Sequence, residues 1–140
     1  MTSLVPFEPA HLARLEVQEA QRGTFPVDDP AYALSLMKAG PCWSVFIGGR
    51  VVACGGLCMQ WEGRAVAWAI ISKGAPLIPV TRSVLHVLGQ RCIPRRVECF
   101  VDVSFQEGIR WAEMLGFQRE GLMRAFSPDG RDHLLFSRVV

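Results

Sequence analysis

Short apolar stretches separated by turn residues run the length of the chain, and their periods alternate between strand and helix. Ser3–Phe7 reads as a short strand. Pro9 suits the first turn of a helix, which runs to about Arg22 and is closed by Gly23. Asp29-Pro30 starts a second helix, with Asp29 as N-cap, and Gly40-Pro41 stops it. Cys42–Ile47 and Arg50–Met59 are strands joined at Gly48-Gly49, and Gly55-Gly56 inside the second predicts a bulge or a close backbone approach. Glu62-Gly63 is a tight turn. Arg64–Ser72 follows, apolar on both faces, as a central covered strand should be. Lys73–Pro79 reads as a loop. A helix then runs to about Leu88 with Val80, Val84, Leu85 and Leu88 on one face, ended by Gly89. Arg95–Asp102 is a strand. Ser104-Phe105-Gln106-Glu107 has the form of a capping box and opens a helix to Leu115, burying Phe105, Ile109, Ala112 and Leu115 and ending at Gly116. Phe117–Phe126 and Arg131–Val139 are strands around the turn Ser127-Pro128-Asp129-Gly130.

The order is β-α-α-β-β-β-α-β-α-β-β: an α/β mixed sheet with helices on both faces, and hairpins flanking one strand-helix-strand-helix unit. The 140 residues make one domain spanning 1–140. Half of them are hydrophobic and a fifth charged, which excludes a disordered chain. No apolar run approaches the roughly 18 residues that span a bilayer, and the start carries no basic segment of a secretory signal, so no membrane partner is expected. A net charge of +2 gives no ground for a nucleic-acid partner. The charge is unevenly spread. Lys73, Arg82, Arg91, Arg95 and Arg96 fall in a stretch from Lys73 to Val97 that has no acid, which suits a polyanionic small ligand. Cys42, Cys54, Cys58, Cys92 and Cys99 are odd in number and lack zinc spacing, so they read as reduced, mostly buried small hydrophobes in a cytoplasmic protein.

That element order resembles the GNAT (GCN5-related N-acetyltransferase) superfamily. The sharpest stretch is Ile109 to Gly121, similar to the superfamily's helix ending in Leu115-Gly116-Phe117 followed by a strand with Glu120-Gly121. Val51-Val52-Ala53-Cys54-Gly55-Gly56 and Ser127 to Asp132 are similar to two further pieces. Gly55-Gly56, Trp68 to Ser72, and Asp129-Gly130 with Leu134-Leu135-Phe136 also resemble short GNAT-like proteins of tailed phages, including an internal virion protein family. This second resemblance implies phage or prophage origin.

The resemblance implies a largely antiparallel sheet and transfer of acetyl from acetyl-CoA to an amine, on a small molecule or a protein. It places the cofactor at Ile70, Ile71 and Ser72, which end the central strand and offer backbone partners to the pantetheine amides. The phosphates fall on the loop at Lys73 and Gly74, with side-chain donors Thr81 and Arg82. The superfamily loop is richer in glycine than Ser72 to Arg82, where Pro76 and Pro79 each remove a donor N–H. Counting back from Gly116, the places of the superfamily's Asn and thiolate-protonating Tyr hold Phe105 and Ala112, so the usual acid is missing, and Phe105 falls at the cofactor. The chain has no Asn, and its one Tyr is Tyr32. Glu62, Asp102 and His133 are the candidates for acid–base work: Asp102 at a strand's C-terminal end, His133 on the final hairpin beside the acceptor cleft. A second expectation is a catalytically inactive fold kept as a phage structural or interaction protein, a virion component or homodimer, its cleft closed by side chains such as Phe105.

Overall fold

The computed structural model describes residues 1–22 and 25–140, with the backbone alone for Ala20 and Arg22. The stop predicted at Gly23 lies outside the described residues. The elements are β1 (Thr2–Pro6), α1 (Pro9–Ala13), α2 (Glu19–Arg22), α3 (Pro30–Ala39), β2 (Cys42–Ile47), β3 (Arg50–Trp61), β4 (Arg64–Ile71), α4 (Leu77–Leu88), β5 (Arg96–Asp102), α5 (Gln106–Met114), β6 (Gln118–Met123) and β7 (His133–Val139). They form a seven-stranded sheet in the order β1-β2-β3-β4-β5-β7-β6, with β4 at its centre as its two apolar faces predict. β4 and β5 run parallel, joined by α4, and the other neighbours run antiparallel.

Each face of the sheet has its own core. Ala65, Val97, Ile109, Ala112, Leu115 and Phe136 pack under α4 and α5. Phe7, Leu12, Leu36, Cys54, Trp68 and Ile70 pack under α1 and α3. Ile70 and Phe136 are wholly buried, and each such side chain contributes about 1.5–3 kcal/mol.

The structure departs from the sequence expectations at several element ends. The helix predicted over Pro9 to Arg22 is two short helices, because Glu16–Gln18 leaves the helical path to bond the end of β4. Val17 bridges Ser72, and the Lys73 N–H donates to the Glu16 carbonyl at 2.8 Å. α4 begins at Leu77, inside the predicted loop. Pro76 is its N-cap and Pro79 lies in its first turn, where a missing N–H breaks no helical bond. Leu85 is exposed, while Thr81 and Val87 are buried in its stead. The Ser104 capping box does not form. Phe105 is the N-cap of α5, and the Ser104 N–H and hydroxyl both donate to Asp102 Oδ1, at 2.8 and 2.7 Å. The last two strands are shorter than predicted at the turn between them. There Asp132 Oδ1 accepts the N–H of Ala125, which has φ 50°. Gly55-Gly56 marks a close approach: a Cβ on Gly56 would stand 2.4 Å from Cys42 Cβ, and the register shifts lie elsewhere, at Val45/Phe46, Met59/Trp61 and Arg119/Gly121.

Candidate functional site

β4 and β5 pair only over Arg64–Val66 and Arg96–Glu98, and then diverge. The vertex is clasped by charge. Arg64 donates to both oxygens of Glu98 at 2.7 Å, Arg96 adds a third bond at 2.7 Å, and Arg96 also holds Glu120 by two bonds. Bidentate pairs of this kind fix geometry as well as adding energy.

Beyond the vertex a cavity of about 740 Å³ passes between the strands and reaches both faces of the sheet. On the α4 side it is walled by Val80, Val84 and Trp111, and on the α3 side by Tyr32, Leu36 and Trp68. Trp111 ties α5 to α4 through a 2.8 Å bond from Nε1 to Thr81 Oγ1. Burial pushes the Tyr32 phenol up to about 12 and the Cys54 thiol up to about 11. Behind Cys54 lies a buried polar chain: Ser44 Oγ is 3.5 Å from its sulfur and 2.8 Å from His11 Nδ1, and His11 Nε2 meets the exposed Glu8 carboxylate at 3.2 Å.

The open edge of β4 can be read from its register. The Ser72 N–H donates to the Val52 carbonyl on β3 at 2.8 Å. Alternation then turns Ile70 toward β3 as well, and turns the backbone groups of Ala69 and Ile71 into the cleft. Two of these groups are already held. Gln18 Nε2 donates to the Ile71 carbonyl at 3.2 Å and Gln21 Nε2 to the Ala69 carbonyl at 2.8 Å. The Ala69 and Ile71 N–H groups face the cleft.

The predicted cofactor residues therefore separate. Ile71 and Phe105 line the cavity. Ile70 is wholly buried in the α3-side core, and Ser72 is bonded to β3 and to Glu16, so neither presents backbone groups to the cleft. Lys73 and Gly74 are exposed in the loop after β4 and do not line the cavity; Gly74 has φ 69° and open space around it. Thr81 is buried and accepts from Trp111 instead of standing ready for a phosphate. Arg82 lies over the β1 side of α4, in a shallow groove with Thr2, Leu4 and His86. The acid-free stretch is thus not one patch, because Arg96 is spent on the vertex and Arg82 points elsewhere.

The acid–base candidates also separate. Glu62 is exposed in the β3–β4 turn, at the closed end of the divergence and away from the cavity. Asp102 and His133 are register partners on β5 and β7, both buried, and both line the cavity with Phe100 and Phe126. Burial pulls the Asp102 pKa up, but the two Ser104 bonds and Arg131, whose Nη1 is 2.6 Å from Oδ2, outweigh it and hold the carboxyl below its ordinary value. Asp102 is a committed anion and a weak base. The His133 ring meets Phe126 at 5.3 Å with the two planes tilted by 52°, and Phe126 meets Phe100 at 4.9 Å. Sequence reasoning missed Gln18, Gln21 and Phe100. The glutamines carry no local signal, because a helical pattern runs through them.

No protein-family model and no curated protein sequence matches the chain. Solved structures do. Ard1 from Thermoplasma volcanium superposes with TM-score 0.82 at 14% identity, over 99% of this chain and 97% of that one. An acetyltransferase of the GNAT family from Streptococcus pneumoniae gives 0.73 at 14%, over 100% and 99%. RimL, a ribosomal L7/L12 alpha-N-protein acetyltransferase in complex with coenzyme A, gives 0.72 at 11%, over 99% and 94%. The chain has the GNAT fold. Among the described residues no helix is long and apolar enough to cross a membrane.

Proposed function

We propose that the chain is an acyl-CoA-dependent N-acyltransferase that moves an acetyl group from acetyl-CoA to an amine. The observation that carries this reading is the divergence of β4 from β5 after three paired residues, around a cavity that reaches both faces of the sheet. Phe105 lines that cavity and does not close it. The structural neighbour bound to coenzyme A supports the choice of donor.

The residues present fit such a donor. Ala69 and Ile71 offer N–H groups to its amide and thioester carbonyls. The N–H groups of Leu77 and Ile78, at the start of a twelve-residue helix, and that of Gly74 in the loop before it suit the phosphates, and the open space at Gly74 leaves room for them. Lys73 adds a charge on the same loop. Acetyl-CoA supplies an acyl carbon already activated as a thioester.

The chain's own residues do the rest. A strand N–H from β4 polarises the acyl carbonyl. Trp68, Phe100 and Phe126 exclude water and confine the amine on the α3 side, where positioning lowers the barrier. His133, held beside the Asp102 anion, takes the amine proton at a ring nitrogen.

One observation favours a second reading. The Glu16–Gln21 strap bonds the very edge of β4 that a pantetheine arm would use, as expected of an inactive phage or prophage protein with a structural or interaction role. A thermal melt separates the two. Acetyl-CoA at about 100 times its dissociation constant adds roughly 2.7 kcal/mol, a rise of about 5 °C or more. That rise, not reproduced by free adenine nucleotides, supports the transferase; no rise at millimolar acetyl-CoA supports the inactive fold.

A further inference from the structure

Among the described residues, three buried polar atoms with no hydrogen-bond partner belong to residues that line the cavity; Asp102 Oδ2 is met by Arg131 at 2.6 Å as an ion pair, which leaves Gln21 Oε1 and Trp68 Nε1. Buried groups of this kind are rare in folded proteins and call for a partner. Gln21 is not free to turn toward one, because its amide nitrogen is fixed on the Ala69 carbonyl at 2.8 Å. The amide oxygen is therefore a fixed acceptor at the open edge of β4. Trp68, the residue before Ala69, supplies an unsatisfied N–H on the α3 side.

The walls on that side are apolar and aromatic: Tyr32, Leu36, Trp68, Phe100 and Phe126. Asp102 is the single carboxylate among the described lining residues, and Ser104 and Arg131 occupy it. No free carboxylate in that lining is left to pair with a second ammonium group. A polyamine or a lysine-rich segment would bring charges here that find no partner.

Building on the transferase reading, we infer that the acceptor is a primary amine carried on an apolar, preferably aromatic, body, and that Gln21 Oε1 accepts an N–H from the amine nitrogen. An oxygen on the same body would meet the Trp68 N–H. In the transfer the amine lone pair forms the C–N bond, the C–S bond breaks, and the proton lost by nitrogen balances the departing coenzyme A thiolate. The products are an N-acetyl amide and the free thiol.

The test is thiol release from acetyl-CoA with a panel of acceptors: 2-phenylethylamine, phenylalaninol, spermidine and a lysine peptide. Acetyl-CoA binding is titrated separately in the absence of amine. The inference expects kcat/KM for the two aromatic amines at least about tenfold above spermidine and the peptide. It further expects Gln21→Leu to raise the KM for phenylethylamine about tenfold with a smaller change in kcat, and Trp68→Phe to weaken phenylalaninol more than phenylethylamine. Equal or better use of spermidine or the peptide overturns it, as does acetyl-CoA binding with no stimulation by the aromatic amines. In either case the transferase reading stands. Failure to bind acetyl-CoA at all overturns the transferase reading itself. The wild-type panel needs no variant to fold.

Discussion

Arg64, whose register partner is Arg96, reaches along the parallel pair β4–β5 to Glu98 with two bonds of 2.7 Å, and Glu98 opposite Val66 is the last residue of β5 that β4 still pairs. The ion pair spans the whole paired stretch, and its carboxylate end marks where pairing stops and the cleft begins. Glu98 is 5% exposed, whereas the Arg64 and Arg96 side chains keep 24% and 31% of their exposure, so solvent partly screens the cations. Glu98→Gln leaves Arg64 without its anion and Arg96 with Glu120 alone. The expected loss is about 2 kcal/mol, or about 5–10 °C in melting temperature. Weaker acetyl-CoA binding should accompany it. Calorimetric melts of the two proteins check the first effect, and unchanged stability would mean that the clasp holds nothing.

The same clasp sets an acid limit. Hydrogen bonds from Arg64 lead the causes that hold the Glu98 carboxyl at about 2, against an ordinary value of 4.5, and bonds from Arg96 and Ser137 hold Glu120 at about 2. A carboxyl depressed in the folded state adds stability that is complete above its unfolded pKa and drains away as pH falls through the folded one. Urea midpoints should therefore fall between about pH 4.5 and pH 2, and Glu98→Gln should flatten that fall. A wild-type midpoint flat down to pH 2 would contradict the ion network.

Gly56→Ala tests the close approach of β2 and β3. The added methyl would stand 2.4 Å from Cys42 Cβ, 2.7 Å from the Pro41 carbonyl oxygen and 2.8 Å from Cys42 Cα, and the backbone atoms among these have nowhere to yield. Overpacking of this kind costs about 1–3 kcal/mol. The half-buried Gly121, where a Cβ meets nothing within 4 Å, is the control and should change little.

The cysteines differ in reach. Cys92 is exposed, Cys54 is buried, and burial pushes the Cys54 and Cys99 thiols up to about 11 and about 12. Thiolate is the reacting form, so maleimide at pH 8 should label Cys92 first and Cys54 and Cys99 last, with all five labelled in denaturant. Fast labelling of Cys54 in the native protein would mean that the cavity admits reagent freely at that wall.

Much of the fold was legible because each strand and the main helices carry their own periods and punctuation. Val66, Trp68 and Ile70 alternating with Ala67, Ala69 and Ile71 put Arg64–Ser72 at the centre, and it is there. The split of the first helix was not legible. Glu16–Gln18 has helical composition and gives up its helical bonds only because β4, once parted from β5, has edge groups to satisfy. Ser104 likewise reads as a cap, but the buried Asp102 takes its hydroxyl. The site was half legible for the same reason. Asp102, His133, Ile71 and Phe105 follow from strand and helix ends, whereas Thr81, Arg82 and Ile70 turn on which way one side chain or one peptide points, and Gln21 reaches the cleft only through tertiary packing.

The most direct test of the account is hydrogen exchange at β4 with and without acetyl-CoA, resolved to single amides. The Ala69 and Ile71 N–H groups should slow at least about tenfold when acetyl-CoA is added, with smaller protection at Gly74 to Ile78 and none in β1. Protection confined to other surfaces, or no protection at Ala69 and Ile71 under saturating acetyl-CoA, would contradict the claim that the gap between β4 and β5 is where the acyl donor lies.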